Sequence, residues 1–331
     1  MNLLKDVLLV GESLPMQRLR EMIYTIAPTR LPVLIEGATG TGKELIAALV
    51  HRHSTRRGAF IAFNVCALGD SMFEDSLFGH VRGAYTGALS DSMGFLREAD
   101  GGSAFFDEIS GLPLMLQAKL LRAVETGVFR PIGAARDVRS DFRVVAATNE
   151  HLGDLVDRGR FRADLKHRLS GVVITVPSLA DRVDDIPDLA RYFAERAFGS
   201  PLAIEEAALD LLMDTGWPGN VRELKQVIDV ATAFSRGVVD VESVRAALLH
   251  RNERPLTIHE RVIDERRERR ELVTALQNMS WDIDRAAEAL GVHRATMYRR
   301  MKRHGIEVPR VAASRATLRQ SDATNATSVI Q

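Results

Sequence analysis

The chain has 331 residues, with 44 Lys and Arg against 44 Asp and Glu, so bulk charge points to neither nucleic acid nor a membrane surface. Its one cysteine, Cys66, excludes an intrachain disulfide and fits a reducing compartment. No apolar run approaches the roughly 20 residues that span a bilayer, and Lys5 and Asp6 interrupt the apolar N-terminus, so neither a membrane span nor a secretory signal is expected and the location reads as cytoplasmic.

The length suggests two or three domains. Residues 7–176 alternate short apolar runs with helical patterns, the runs including Val33-Leu34-Ile35, Ser103-Ala104-Phe105-Phe106 and Arg143-Val144-Val145-Ala146. That alternation predicts an α/β unit with a parallel sheet flanked by helices. Residues 177–250 lack such runs and read as an all-α part, punctuated at Ile186-Pro187, Trp217-Pro218-Gly219 and Arg236-Gly237. A charged stretch over 251–270 reads as a linker or exposed helix, 271–307 as a compact helical domain, and the polar tail 308–331 as disordered. Cys66 is expected to be a small buried hydrophobe, Trp217 and Trp281 core anchors, and the histidines show no zinc spacing.

Gly37-Ala38-Thr39-Gly40-Thr41-Gly42-Lys43 follows the run at 33–36 and precedes a helical stretch from Glu44 to His53. This is the G-x-x-x-x-G-K pattern in the strand–loop–helix setting it needs. Glycines let backbone N–H groups approach phosphate oxygens, the helix N-terminus adds partial positive charge, and Lys43 would reach the β- and γ-phosphates of ATP. Glu44 stands where a Ser or Thr usually follows the lysine, which removes the hydroxyl that would otherwise hold Mg2+. A plain glycine turn before a helix is the competing reading.

Ser103 to Phe106 runs into Asp107-Glu108. Asp107 would orient Mg2+ through its water shell, and Glu108 would polarise the attacking water. Two acids at a strand end are commonly just solvated; after an upstream phosphate loop they signal an ATPase.

Near the C-terminus, Ile283 to Leu290 reads as a helix, Gly291-Val292 as a turn, and His293 to His304 as a second helix, with Met297 and Met301 placed to pack a core. From Arg285 to Arg310, basic residues Arg285, Arg294, Arg299, Arg300, Lys302, Arg303 and Arg310 face only Glu288 and Glu307. Arg294, Thr296, Arg299, Arg300 and Arg303 are the candidate DNA contacts. The plainer alternative is a helical cap with a solvated basic face.

Gly83-Ala84-Tyr85-Thr86-Gly87-Ala88, preceded by Leu77 to Arg82, resembles the GAFTGA loop of sigma-54-dependent activators, the bacterial enhancer-binding proteins of the AAA+ class, with Tyr85 at the aromatic position. Gly94 to Ile109 and Trp217 to Leu224 resemble two further signatures of that family, and 271–307 its Fis-type helix-turn-helix. The resemblance implies roles by position. Gly83 to Ala88 would grip sigma-54, with Tyr85 and Thr86 at the tip. Asn64 would couple to Glu108, Thr148 and Asn149 would lie in the first sensor, Arg222 would be the second sensor, and Arg162 and Arg168 would act as arginine fingers on a neighbour's nucleotide. Fingers acting between subunits imply a homo-oligomeric ring, usually a hexamer. Ala38, Ala180 and Gln226 depart from the family's usual residues.

The implied function is a DNA-bound activator that uses ATP and Mg2+ to remodel the closed complex of sigma-54 RNA polymerase holoenzyme from upstream enhancer DNA. The ATPase begins so near residue 1 that the chain resembles members without an N-terminal receiver domain, such as the phage-shock activator, which are controlled by a separate inhibitor, by a partner activator or by expression level. Two alternatives remain: a DNA-binding regulator of other promoters with a vestigial ATPase, and a general AAA+ remodeller.

Overall fold

The computed structural model describes residues 8–67, 70–235, 237–250, 269–270, 272–290, 292 and 294–306, without the side chains of 67, 70, 71, 295, 296, 299, 302 and 303. The described residues divide into two compact units, one drawn from those within 8–10, 16–180 and 216–226, the other from those within 11–15, 181–215 and 227–306. Residues 251–268 of the expected linker 251–270, and the expected tail 308–331, lie outside the described residues, while 269–270 are helical.

The first unit is built on five strands, β1 (Val33–Glu36), β2 (Phe60–Asn64), β3 (Ser103–Asp107), β6 (Arg143–Thr148) and β7 (Val172–Thr175), in the spatial order β2-β3-β6-β1-β7. All four pairings are parallel, with Val33 opposite both Val145 and Val172, and Asn64 opposite Asp107. Parallel sheets bury both faces, which is why these strands are apolar without alternation. Side chains still alternate between two cores. Leu34, Ala104, Phe106, Val144 and Ala146 point into one. Val33, Ile35, Phe105, Val145, Ala147 and Ile174 point into the other, against α1 (Leu14–Ile26) and α2 (Lys43–Arg52). The strand predictions at 33–35, 103–106 and 143–146 match β1, β3 and β6 within a residue or two.

One buried charge ties this layer together. Arg143 is 2% exposed and donates to the carbonyls of Leu31, Ala27 and Ile26 at 3.0, 2.6 and 3.0 Å. Those carbonyls close α1 and the turn after it, where a helix leaves acceptors unpaired and its dipole favours a cation.

On the other face, α3 (Asp70–Phe78), α4 (Phe95–Glu98), α5 (Leu114–Thr126), α6 (Leu152–Asp157) and α7 (Ala163–Leu169) cover the sheet, and a short hairpin pairs β4 (Val128–Phe129) with β5 (Val138–Arg139).

The second unit contains α8 (Ile186–Phe198), α9 (Glu206–Asp214) and α11 (Val241–Leu249). Asp240 caps α11 through a reciprocal pairing with Ser243. An all-α reading missed one element here. Ala203–Ile204 (β8) pairs in parallel with Val238–Val239 (β9), and two-residue strands carry too little periodicity to show in sequence. Helix α10 (Asn220–Phe234) begins in the segment 216–226, which groups with the first unit.

The C-terminal helices are α12 over 272–278, α13 (Ile283–Ala289) and α14 (Arg294–Arg303). Leu272, Leu276, Ala286, Ala287, Met297, Met301 and Ile306 make their core, so the two methionines four residues apart do face inward. Asp282 caps α13 by accepting from the amides of Asp284 and Arg285.

Candidate nucleotide site and partner loop

The carboxyl ends of β1, β3 and β6 lie side by side, and in parallel sheets that edge is where ligands bind. Glu36 is in register with Thr148, and the Gly37 amide donates to the Thr148 carbonyl at 3.2 Å. The loop from Gly37 to Gly42 then leads into α2, whose first turn leaves amides without intrahelical acceptors. Gly40 has φ +80°, and a Cβ there would stand 2.2 Å from the Gly219 carbonyl oxygen. Only glycine fits that approach.

Lys43 is 6% exposed. Its Nζ donates to the carbonyls of Gly37 at 2.9 Å and Ala38 at 3.4 Å, and lies 3.8 Å from Glu108 Oε1. An ammonium held only by neutral carbonyls and a loose ion pair suits the charge of phosphate oxygens, so the donor set fits a nucleoside triphosphate. Thr41 Oγ1 is turned inward to the Ala38 carbonyl at 2.8 Å, while Ala38, Thr39 and Glu44 are exposed along the loop's rim.

Glu108 has φ 53° and ψ 49°, a left-handed backbone that non-glycine residues adopt at a cost of roughly 1–2 kcal/mol. Strain of this kind collects at functional positions. It turns the chain at the end of β3 so that the Glu108 carboxylate faces Lys43, while its amide donates to Asp107 Oδ1 at 3.1 Å. Asp107 is half-buried at the strand end, suited to hold a cation through water.

Thr148 is fully buried and its Oγ1 both donates to the Glu150 carbonyl at 2.9 Å and accepts from the Glu150 amide at 3.0 Å. Its hydroxyl shapes the turn; Asn149 is the residue that reaches out, its Nδ2 donating to Thr39 Oγ1 at 3.1 Å. Arg222 is exposed at the start of α10, and its amide donates to the Gly40 carbonyl at 3.2 Å.

Two expectations, at Asn64 and Cys66, meet a different geometry. Asn64 Oδ1 accepts from the Cys66 amide at 2.9 Å, and among the described residues no hydrogen bond joins Asn64 to Glu108. Cys66 is exposed rather than buried, because the short turn Val65–Ala67 carries it off the end of β2. Partial desolvation, then the charges of Glu108, Asp107 and Glu150, push its thiol pKa up, which shows how strongly acidic this edge is. Arg162 directly precedes α7 and Arg168 lies in its last turn, both exposed. Arg162 is paired with Asp164 at 2.8 Å, which holds that carboxyl below its ordinary value; among the described residues no ion pair engages Arg168.

Asn220 was not singled out in the sequence, although it lies in the Trp217 to Leu224 signature. It has φ 53°, is buried, donates to the carbonyls of Thr39 and Pro218, and accepts from the Leu179 amide. The signal was present: asparagine directly after Pro-Gly is a residue that tolerates the left-handed region.

The Gly83–Ala88 segment is a tight turn between α3 and α4. The Gly83 amide donates to the Ala88 carbonyl at 2.9 Å and the Ala88 amide to the Tyr85 carbonyl at 3.0 Å. Thr86 is exposed, Tyr85 is 47% exposed, and Ala88 is buried. The stem is held by His80, whose backbone pairs with Ser92 and Ile132. In the C-terminal unit Arg294 is exposed, 3.2 Å from Asp284 and over the Tyr298 ring. The side chains of Thr296, Arg299 and Arg303 lie outside the described residues; Arg300 is half-buried.

A glycine loop after β1 and paired acids after β3 of a parallel sheet are the arrangement of a P-loop ATPase of the AAA+ class. Residues 9–175 match the family model described as the sigma-54 interaction domain, 180–260 an AAA+ ATPase lid domain, and 265–304 the Fis family of bacterial regulatory proteins. The anaerobic nitric oxide reductase transcription regulator NorR of Aliivibrio fischeri is 46% identical over 237 residues, covering 70% of this chain and 46% of its own length. The C4-dicarboxylate transport transcriptional regulatory protein DctD of Rhizobium meliloti is 40% identical over 303 residues, covering 90% of this chain and 64% of its own. Among solved structures, NtrX from Brucella abortus in complex with ATP aligns with TM-score 0.66 and 34% identity, covering 90% of this chain and 69% of that one. The chain belongs to the family of sigma-54-dependent transcriptional activators. It spans about half the length of the first curated relatives. No described helix is long and apolar enough to cross a membrane.

Proposed function

We propose that this chain is a DNA-bound transcription activator that couples ATP hydrolysis in a homo-oligomeric, hexameric ring to remodelling of the closed promoter complex of sigma-54 RNA polymerase, acting in the cytoplasm. The observation that carries this reading is the placement of Lys43 3.8 Å from Glu108 at the carboxyl ends of β1 and β3, in a chain that also carries the Gly83–Ala88 turn between α3 and α4.

Gly37 to Glu44 would cradle the phosphates, with Lys43 neutralising their charge. Mg2+, held through water at Asp107, would supply further charge neutralisation. Glu108 would orient the attacking water and take its proton, and Asn149 would sense the γ-phosphate from Thr39's side. Thr148 would fix Asn149, and Arg222 would approach from the start of α10. Arg162 and Arg168 would stabilise transition-state charge in a neighbouring subunit, an effect of about 10³-fold or more in related phosphoryl transfer.

The route to the partner runs through β2. Asn64 is in register with Asp107, and the chain continues from Asn64 through the Val65–Ala67 turn into α3 and then the turn at Gly83. Glu108 changing partners during hydrolysis would therefore reach Asn64, α3 and the Tyr85-Thr86 tip, which engages sigma-54. Helix α14 would read upstream enhancer DNA with Arg294, Thr296, Arg299, Arg300 and Arg303.

Mixing experiments test the ring. Glu108→Gln should abolish hydrolysis, and Arg168→Ala should do the same in a homogeneous preparation. Mixing the two inactive variants should restore activity at those sites where an intact finger meets an intact Glu108. No recovery at any mixing ratio would remove the finger assignment.

A further inference from the structure

Asp75, in the last turn of α3, is engaged twice by the segment that follows it. Its Oδ1 meets His80 Nδ1, and its Oδ2 accepts from the Tyr85 hydroxyl at 3.3 Å. The His80 and Tyr85 rings meet edge to face, with centroids 5.2 Å apart. His80 is itself anchored by its backbone, which exchanges bonds with Ser92 and borders Ile132. Asp75 and His80 thus form a fixed base, and Tyr85 is the part that can move. Gly83 and Gly87 have φ +80° and +104°, and a Cβ at either would meet nothing within 4 Å. No neighbour locks these two points; Ala84 packs against Gly133 and Ala88 is buried, so the exposed tip's position depends on the turn's own hydrogen bonds and on what Tyr85 touches.

We propose that Asp75 is a positioning residue that clasps the Gly83–Ala88 turn against α3 through the Tyr85 hydroxyl, and that the turn must leave this clasp to engage its protein partner. The second half rests on the reading of the turn as the sigma-54-engaging element; the clasp itself does not. The hydroxyl is essential, because a phenylalanine ring would keep the edge contact with His80 but could not donate. Partial desolvation and the neighbouring Asp75 charge push the phenol's pKa up, so it remains the donor. The bond is long and exposed, which makes the clasp weak enough to open in each working cycle.

The test is amide hydrogen exchange in the full chain without partner, comparing wild type with Tyr85→Phe, Asp75→Ala and the double variant. Each single change should speed exchange over 83–89 by roughly two- to tenfold, the range for one modest hydrogen bond, while β3 amides stay as in wild type. The double variant should exchange no faster than the quicker single one. Unchanged exchange in Tyr85→Phe, which deletes one oxygen and leaves the fold intact, overturns the clasp, as does full additivity of the two changes. A second arm measures binding of purified sigma-54. Asp75→Ala, which leaves Tyr85 whole, should tighten it by a factor similar to the gain in exchange. Faster exchange with unaltered sigma-54 affinity would leave the clasp standing and overturn its link to partner engagement; no sigma-54 binding by either form would overturn the reading of the turn instead.

Discussion

Asn220 and Thr39 are 181 residues apart in the chain, yet Asn220 Nδ2 donates to the Thr39 carbonyl at 3.0 Å. The same side chain accepts from the Leu179 amide at 2.8 Å, so one buried amide group joins the phosphate loop to two distant segments. Asn220→Ala should destabilise the first unit by about 2–4 kcal/mol, from the lost bonds and the left-handed backbone, and should weaken ATP binding. Asn220→Gly should recover the backbone part alone. Urea midpoints separate the two; equal losses for Ala and Gly would show that the backbone contributes nothing.

Arg143 offers a second test of how the sheet is held. Burial and the nearby Arg56 charge draw its pKa down, yet a guanidinium remains charged, and its three carbonyl acceptors lie at the end of α1 and in the segment that follows it. Arg143→Leu should cost about 3 kcal/mol or more, because three carbonyls lose their donor together. Arg143→Lys should recover only part, since an ammonium lacks the planar fork. Equilibrium unfolding followed by far-UV circular dichroism reads both.

His51 gives the first unit a pH dependence. It is 7% exposed, its Nδ1 lies 2.9 Å from Ser103 Oγ, and burial, then the Arg143 charge, lower its pKa below 6.5. The unfolded chain therefore takes up a proton near pH 6.5 that the folded protein refuses. Stability should be complete above that pH and fall as pH drops through 6.5 toward the folded pKa. In His51→Gln this part of the slope should vanish; an unchanged slope would place it elsewhere.

DNA binding through α14 should weaken linearly in log affinity against log salt. Arg294→Ala should reduce that slope by about 1 if the side chain leaves Asp284 for a phosphate. No change in slope would show that Arg294 stays in its ion pair.

Much of the sheet could be read from the sequence, because strands buried on both faces are written as apolar runs at 33–35, 103–106 and 143–146. The phosphate loop and the paired acids were legible for a different reason: their chemistry demands particular residues at fixed spacing. Contacts made across long separations were not. Arg143 looked like the polar start of a strand, and nothing local showed it reaching the carbonyls of α1. Cys66 was expected inside because free cysteines usually are; its place on a turn beside three acids depends on where β2 stops. The Asp75–Tyr85 contact likewise needs the backbone geometry of a turn whose glycines leave its direction open.

The most direct measurement is open-complex formation by sigma-54 holoenzyme on a closed promoter complex with ATP, comparing wild type, Thr86→Ala and Glu108→Ala. Wild type should open the promoter. Thr86→Ala should hydrolyse ATP without opening it, and Glu108→Ala should do neither. A wild-type chain that hydrolyses ATP at full rate but never engages sigma-54 would contradict the coupling of this ATPase to the Gly83–Ala88 turn.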